Sequence, residues 1–171
     1  YLAFFMIRPD LATLEKEASD RGLLLRIQIR RPFNIWSFRL VVAEMTTKDK
    51  IQFWGEMKGW AYESTKGLQL DIMKVGKNAN PKVGDMLWAA TMAWALEETP
   101  CRNARLLAIY DENNQHKILQ RYFRRRGFNT VRNVGSSPLD LPLRLVWGGA
   151  GAFMVGDCRE VLERSYRSWL E

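Results

Sequence analysis

Two carboxylates sit where proton transfer could be done. Asp71 lies between Leu70 and Ile72 in "LQLDIMKV", and Glu56 lies in "IQFWGEMKGW", both in stretches with the alternation of a strand. A strand carboxylate that faces a cleft can take a proton from an attacking amine as a general base. The same residue on a solvated strand face does nothing of the kind, and alternation alone leaves both readings open. The chain has one histidine, His116, near the start of a polar helix, so histidine clusters of zinc sites and a Ser/His/Asp relay are not expected. Cys101 and Cys158 are far apart in sequence and in different neighbourhoods, with no CxxC pair or disulfide framework. Both read as packing or spectator thiols, and the expectation is a reducing compartment and no metal cofactor.

Charge offers a second kind of chemistry. Lys and Arg number 26 against 19 Asp and Glu, a net of +7. Such an excess attracts anionic partners. The densest basic run is "LQRYFRRR", with Arg121, Arg124, Arg125 and Arg126 on one helix. Cations at a helix C-terminus are favoured by its dipole, which explains the run without any partner. Joined to Arg102, Arg105 and Arg132, it would make a patch for an acidic protein, a larger assembly, or RNA or DNA. Among the seven Trp, Trp54 and Trp60 share a strand face by even spacing and either floor a cleft or pack in a core.

These residues need elements to hold them. At 171 residues and 47% hydrophobic content, the chain is expected to be one domain, residues 1–171, with a core of its own. Leu11, Leu14 and Ala18 have helical spacing before Gly22; "LLLRIQIRR", "WSFRLVVAEM", "IQFWGEMKGWAYE" and "LQLDIMKV" then alternate as an antiparallel meander. A helix is predicted from near Gly84 to Glu98, ended by Pro100. After it come a buried strand in "ARLLAIYDE", a helix in "NQHKILQRYFRRR" stopped by Gly127, strands in "FNTVRNV", "LRLVWGG" and "AFMVGD", and a final helix capped by Asp157. No run reaches the roughly 20 apolar residues that span a bilayer, so a soluble protein is expected, cytoplasmic or in an organelle interior. Tyr1 stands first, so an initiator Met or leader is expected to have been removed or to lie outside this sequence.

This order of helix, meander, strand, loop, helix, strand, helix ending in "RGF" and final strands resembles the GCN5-related N-acetyltransferase (GNAT) family. The resemblance implies an α/β fold with a mixed, mainly antiparallel sheet flanked by helices. It also implies acetyl-CoA as cofactor and transfer of an acyl group to an amine, with Asp71 or Glu56 as base. In that family the loop after the fourth strand reads Arg/Gln-x-x-Gly-x-Gly/Ala and leads the pyrophosphate onto a helix N-terminus. Here the aligned residues run from Ala79 to Gly84, "ANPKVG". The cradle so implied is Lys77, Lys82, Val83, Gly84, Asp85 and Met86. Ala79 replaces Arg or Gln, Lys82 replaces a glycine, and Pro81 removes a donor. The family's acidic Tyr, four residues before "GF", is Phe123, and Tyr122 beside it is turned about 100° around the helix. Those departures give the rival expectation: a non-catalytic member that docks through its basic helix.

Overall fold

The computed structural model describes residues 8–109, 116–135 and 151–171. The expected strand "LRLVWGG" and the loop before it lie outside those residues, as does the polar run before His116.

The chain forms α1 (Leu11–Asp20), β1 (Leu23–Arg30), β2 (Trp36–Met45), β3 (Ile51–Ala61), β4 (Leu68–Val75), α2 (Pro81–Glu98), β5 (Asn103–Ile109), α3 (His116–Arg126), β6 (Phe128–Val134), β7 (Gly151–Asp157) and α4 (Cys158–Leu170). Among the described residues, seven strands make one sheet in the order β1-β2-β3-β4-β5-β7-β6, antiparallel throughout except for β4 beside β5. A mixed, mostly antiparallel α/β architecture is therefore what the chain adopts.

Alternation decides which face is buried. Phe38, Leu40, Val42, Met57, Ala61, Leu68, Leu70, Ala104 and Leu106 share one core with Leu14 and Ala18 of α1, Val161 and Leu162 of α4, and α2. Every residue of α2 from Val83 to Ala95 is buried. A helix that is apolar all round has to be covered on all sides, and α1, α4 and the sheet do this. Phe123 of α3 stacks edge-on against Trp88 of α2 and Phe128 of β6, so the fourth described helix joins the same side. Among the described residues, no helix covers the opposite face of β1 to β4.

Helix ends follow the local chemistry. Asp10 caps α1 through Thr13 N–H, and Asp157 caps α4 as expected, accepting from the N–H groups of Arg159 and Glu160. The predicted start of α2 is corrected: the helix opens at Pro81, three residues before Gly84. Asn80 is its N-cap and Pro81 occupies the first turn, where a missing N–H costs nothing.

Two irregularities shape the centre. β4 and β5 pair only at Leu68 with Ala104 and Gln69 with Arg105, then diverge. Beside that split the β3–β4 register shifts: Lys58 faces Ile72 and Gly59 faces Leu70, so Asp71 is an extra, bulged residue. A Cβ built on Gly59 would lie 2.1 Å from the Gln69 carbonyl oxygen and 2.8 Å from the Phe38 ring. Gly59→Ala must therefore push the strands apart at the bulge. The expected loss is about 1–3 kcal/mol, read from the urea midpoint.

Candidate functional site

The structure places the two candidate carboxylates in different electrostatic settings. Glu56 pairs with Arg39 at 3.4 Å and Lys58 at 3.2 Å. The Arg39 hydrogen bond above all, helped by Lys58, holds its carboxyl below the usual range, against some desolvation. A carboxylate held so low is a poor proton acceptor. Asp71 is exposed to a cleft, yet loss of water around its carboxyl raises its pKa, with hydrogen bonds from Gln69 and Trp60 working the other way. Gln69 Nε2 donates to Asp71 Oδ1 at 3.0 Å, and Arg105 Nη2 donates to Gln69 Oε1 at 3.4 Å, so a short relay orients the carboxylate.

That raised pKa fixes a pH dependence. Folding favours the protonated form of Asp71, so its contribution is fully present below the unfolded carboxylate range and is lost as pH rises through the folded pKa. Asp71→Asn should accordingly stabilise the protein at neutral pH and make no difference at low pH. Urea melts of both proteins from about pH 3 to 7 check this; a difference that grows toward acid pH would contradict it.

The cleft beside Asp71 measures about 330 Å³ and is lined by Arg30, Ser37, Arg39, Lys58, Trp60 and Asp71, among others. A second cleft of about 320 Å³ adjoins it, with Arg39 shared and with Trp54, Glu56 and Lys74 in its wall. Both open on the face away from the helices. Cross-strand register explains the gathering: Gln28, Arg39, Lys58 and Ile72 form one row, and Arg30, Ser37, Trp60 and Gln69 the next. Sequence reasoning picked out Trp60, Asp71 and Glu56 but not Arg30, Arg39, Lys58 or Gln69, and the expectation that Trp54 shares a face with Trp60 is corrected: Trp54 is the extra residue of a bulge against β2, packs against the core and donates Nε1–H to Glu44 Oε2 at 3.2 Å. The signal was present, because Arg26, Gln28 and Arg30 alternate with Leu25, Ile27 and Ile29.

The proposed cofactor cradle is built differently. In the first turn of α2, Pro81 has no N–H, Lys82 N–H goes to Asn80 Oδ1, and Val83 N–H goes to the Asn80 carbonyl. The preceding loop is a plain turn, with Ala79 N–H on the Gly76 carbonyl and Gly76 N–H on that of Trp54. The Lys82 ammonium is bound to the Ser168 carbonyl, and Lys77 alone of the six is exposed. Asp85 is 2% exposed; its carboxylate meets Arg126 Nη1 at 2.6 Å and accepts from Ser168 Oγ at 2.9 Å. A Cβ on Gly84 would meet Tyr122 Oη at 3.4 Å, so α3 side chains occupy the space above it. Met86 and Val83 are in the core. The positive end of α2 has its anion already, and the residues present do not fit a pyrophosphate.

In comparison with known proteins, no family model matches the chain and no curated protein is significantly similar to it.

The α3 residues divide in the same manner. Arg121, Arg124 and Arg125 are exposed, whereas Arg126 turns inward to Asp85, its side chain 12% exposed, and lies over the Tyr122 ring. Arg126 is thus withdrawn from the expected partner patch, because its charge is used inside. Tyr122 accepts from Trp88 Nε1 at 2.9 Å. Phe123 faces the split between β4 and β5, where it lines a cavity of only about 60 Å³ with Asp71 and Trp88.

Sequence distance was misleading for the thiols. Cys158 N–H donates to the Arg102 carbonyl, so Cys158 and Cys101 are neighbours, both buried. Burial, above all, pushes the Cys158 thiol up to about 12, which makes it unreactive. Among the described residues no group of His, Cys, Asp and Glu could hold a metal ion, and no described helix is long and apolar enough to cross a membrane. The side chain of His116 lies outside the described structure.

Proposed function

We propose that this chain is a GNAT-like domain that works as a binding module for an anionic partner, received on its bare sheet face. The observation that carries this reading is the pair of adjoining clefts with Arg30, Arg39, Lys58 and Lys74 around the Trp60 indole. Element order supports the likeness to the acetyltransferases. The self-capped α2 end and the Asp85–Arg126 pair argue against acyl-CoA chemistry, since pyrophosphate would have to displace contacts that the chain makes with itself.

A second reading, acyl transfer to an amine, is favoured by one feature: a carboxyl with a raised pKa on a bulge beside the strand split. Titration calorimetry with acetyl-CoA and CoA separates the two. No saturable heat at millimolar ligand is expected, and micromolar binding would overturn the binding-module reading. Heparin affinity supplies the positive arm. The double charge reversal Arg39→Glu with Lys58→Glu should lower the eluting salt far more than Arg124→Glu with Arg125→Glu; the reverse order would move the binding surface to α3.

A further inference from the structure

The end of the sheet that carries the β2–β3 turn has a chemistry of its own. Phe38, Leu40 and Val42 turn one side of β2 to the helices, and Met57 does the same on β3. Strict alternation would carry Phe53 and Ile51 to that covered side as well, since each is an even number of residues from Met57. The bulge at Trp54 reverses this. Beyond it Phe53 pairs with Ala43 and Ile51 with Met45, so these side chains stand on the bare face. Phe53 is 63% exposed, Ile51 54% and Met45 50%. Val75, which shares a wall of the second cleft with Phe53, is 42% exposed. The other side of the last rungs is wet too, because Glu44 and Gln52 are exposed. A gathered set of large apolar side chains in water calls for a partner surface.

The cations around this corner are all lysines. Lys48 and Lys50 lie in the turn between β2 and β3, Lys74 near the end of β4 and Lys77 in the turn after it. All are exposed, and among the described residues none is in an ion pair. The nearby acids are Asp49, Glu44, which holds Trp54, and Glu56, which holds Arg39 and Lys58. A soluble polyanion would satisfy the lysines and leave Phe53, Ile51 and Met45 wet. Protein interfaces enrich Arg and deplete Lys, the opposite of this corner. A layer of anionic lipid satisfies both sets: headgroups take ammoniums on long flexible stems, and the acyl boundary takes the apolar chains.

We infer that this corner of the bare face docks on an anionic lipid surface, with Phe53, Ile51 and Met45 entering the headgroup layer and Lys48, Lys50, Lys74 and Lys77 on the headgroups. This rests on the binding-module reading and names its partner. The contact is peripheral and needs both parts, because so small an apolar set gives only weak, reversible attachment without the charge.

The experiment is co-sedimentation of the full chain with vesicles of phosphatidylcholine alone and of phosphatidylcholine mixed with phosphatidylserine, beside a heparin column. Wild type is expected to pellet with the mixed vesicles and not with the neutral ones. Ile51→Thr with Phe53→Thr keeps strand propensity and alters side chains already in water, so the urea midpoint should stay near that of wild type. This pair should weaken vesicle binding about tenfold or more and leave heparin elution where it was. Met45→Gln, on the partner strand, gives the same readout if the threonine variant fails to fold. Lys48→Gln with Lys50→Gln should weaken vesicle binding about 5- to 30-fold, whereas Arg124→Gln should leave it unchanged.

Vesicle binding that survives the loss of the apolar side chains would make lipid one more polyanion and overturn the inference. Retention on heparin without pelleting with either vesicle would also overturn it, yet leave the anionic-partner reading standing. Silence from heparin and vesicles alike would remove both. Self-association that the threonine pair abolishes, without vesicle binding, would give the corner to a second copy of the chain. Tighter binding of poly-glutamate than of mixed vesicles would transfer it to an acidic protein.

Discussion

Asp85→Ala is expected to lower stability by about 3–5 kcal/mol, because it breaks a buried ion pair. The substitution leaves the Arg126 guanidinium, whose side chain is 12% exposed, with no counter-charge, and takes the acceptor from Ser168 Oγ. At this chain length that loss corresponds to a fall in Tm of roughly 6 to 20 °C. The pair ties α3 to the first turns of α2, so the damage should spread: Tyr122, which rests near Gly84 and under Arg126, loses its setting too. Asp85→Leu combined with Arg126→Met should cost much less than either single change, because no charge is then left stranded. Urea melts of the two singles and the double decide it. Singles within about 1 kcal/mol of wild type would mean that water reaches this pair freely.

Trp88→Ala is the second large effect, with an expected loss of about 3–5 kcal/mol. Trp88 is 1% exposed, its ring centroid 5.4 Å from that of Phe128 and 5.9 Å from that of Phe123, and its N–H is held by Tyr122. Removal deletes buried apolar surface, leaves a void beside the strand split, and strips the Tyr122 hydroxyl of its donor. Trp88→Phe keeps most of the ring contacts and should lose markedly less. Because the split already holds a 60 Å³ cavity lined by Met57, Leu70 and Leu106, the alanine variant should gain affinity for a small apolar ligand such as benzene. Benzene-dependent recovery of Tm would show that the hole stays open; a variant with small loss and no such recovery would mean that the core collapses around the site.

Much of the architecture was legible because alternation and punctuation speak locally. Leu25, Ile27 and Ile29 against Arg26, Gln28 and Arg30 announce a half-covered strand, and Asp157 before "CREV" announces a cap. The start of α2 was misplaced near Gly84 although its signal was present, in Asn80 followed by Pro81, a capping residue before a first-turn proline. What stayed hidden depends on contacts distant in sequence. Nothing near Arg126 tells that it reaches Asp85, and nothing near Cys101 tells that β7 brings Cys158 beside it. The Asp71 bulge is set by β3, where Gly59 lets the Gln69 carbonyl come close. Which face of the sheet remains bare is a decision of helix packing, which no single strand records.

Among the described residues the sheet ends on β1, an edge strand one residue from the turn into β2. Any open edge invites a second chain to continue the hydrogen-bonded ladder. Here Arg26 and Arg30 stand on one side of β1, with Arg31 just beyond it. A second copy adding antiparallel would set guanidinium against guanidinium along the new seam. The row of cations that lines the bare face thus also acts as a fence, one that opposes growth of the sheet into a ribbon.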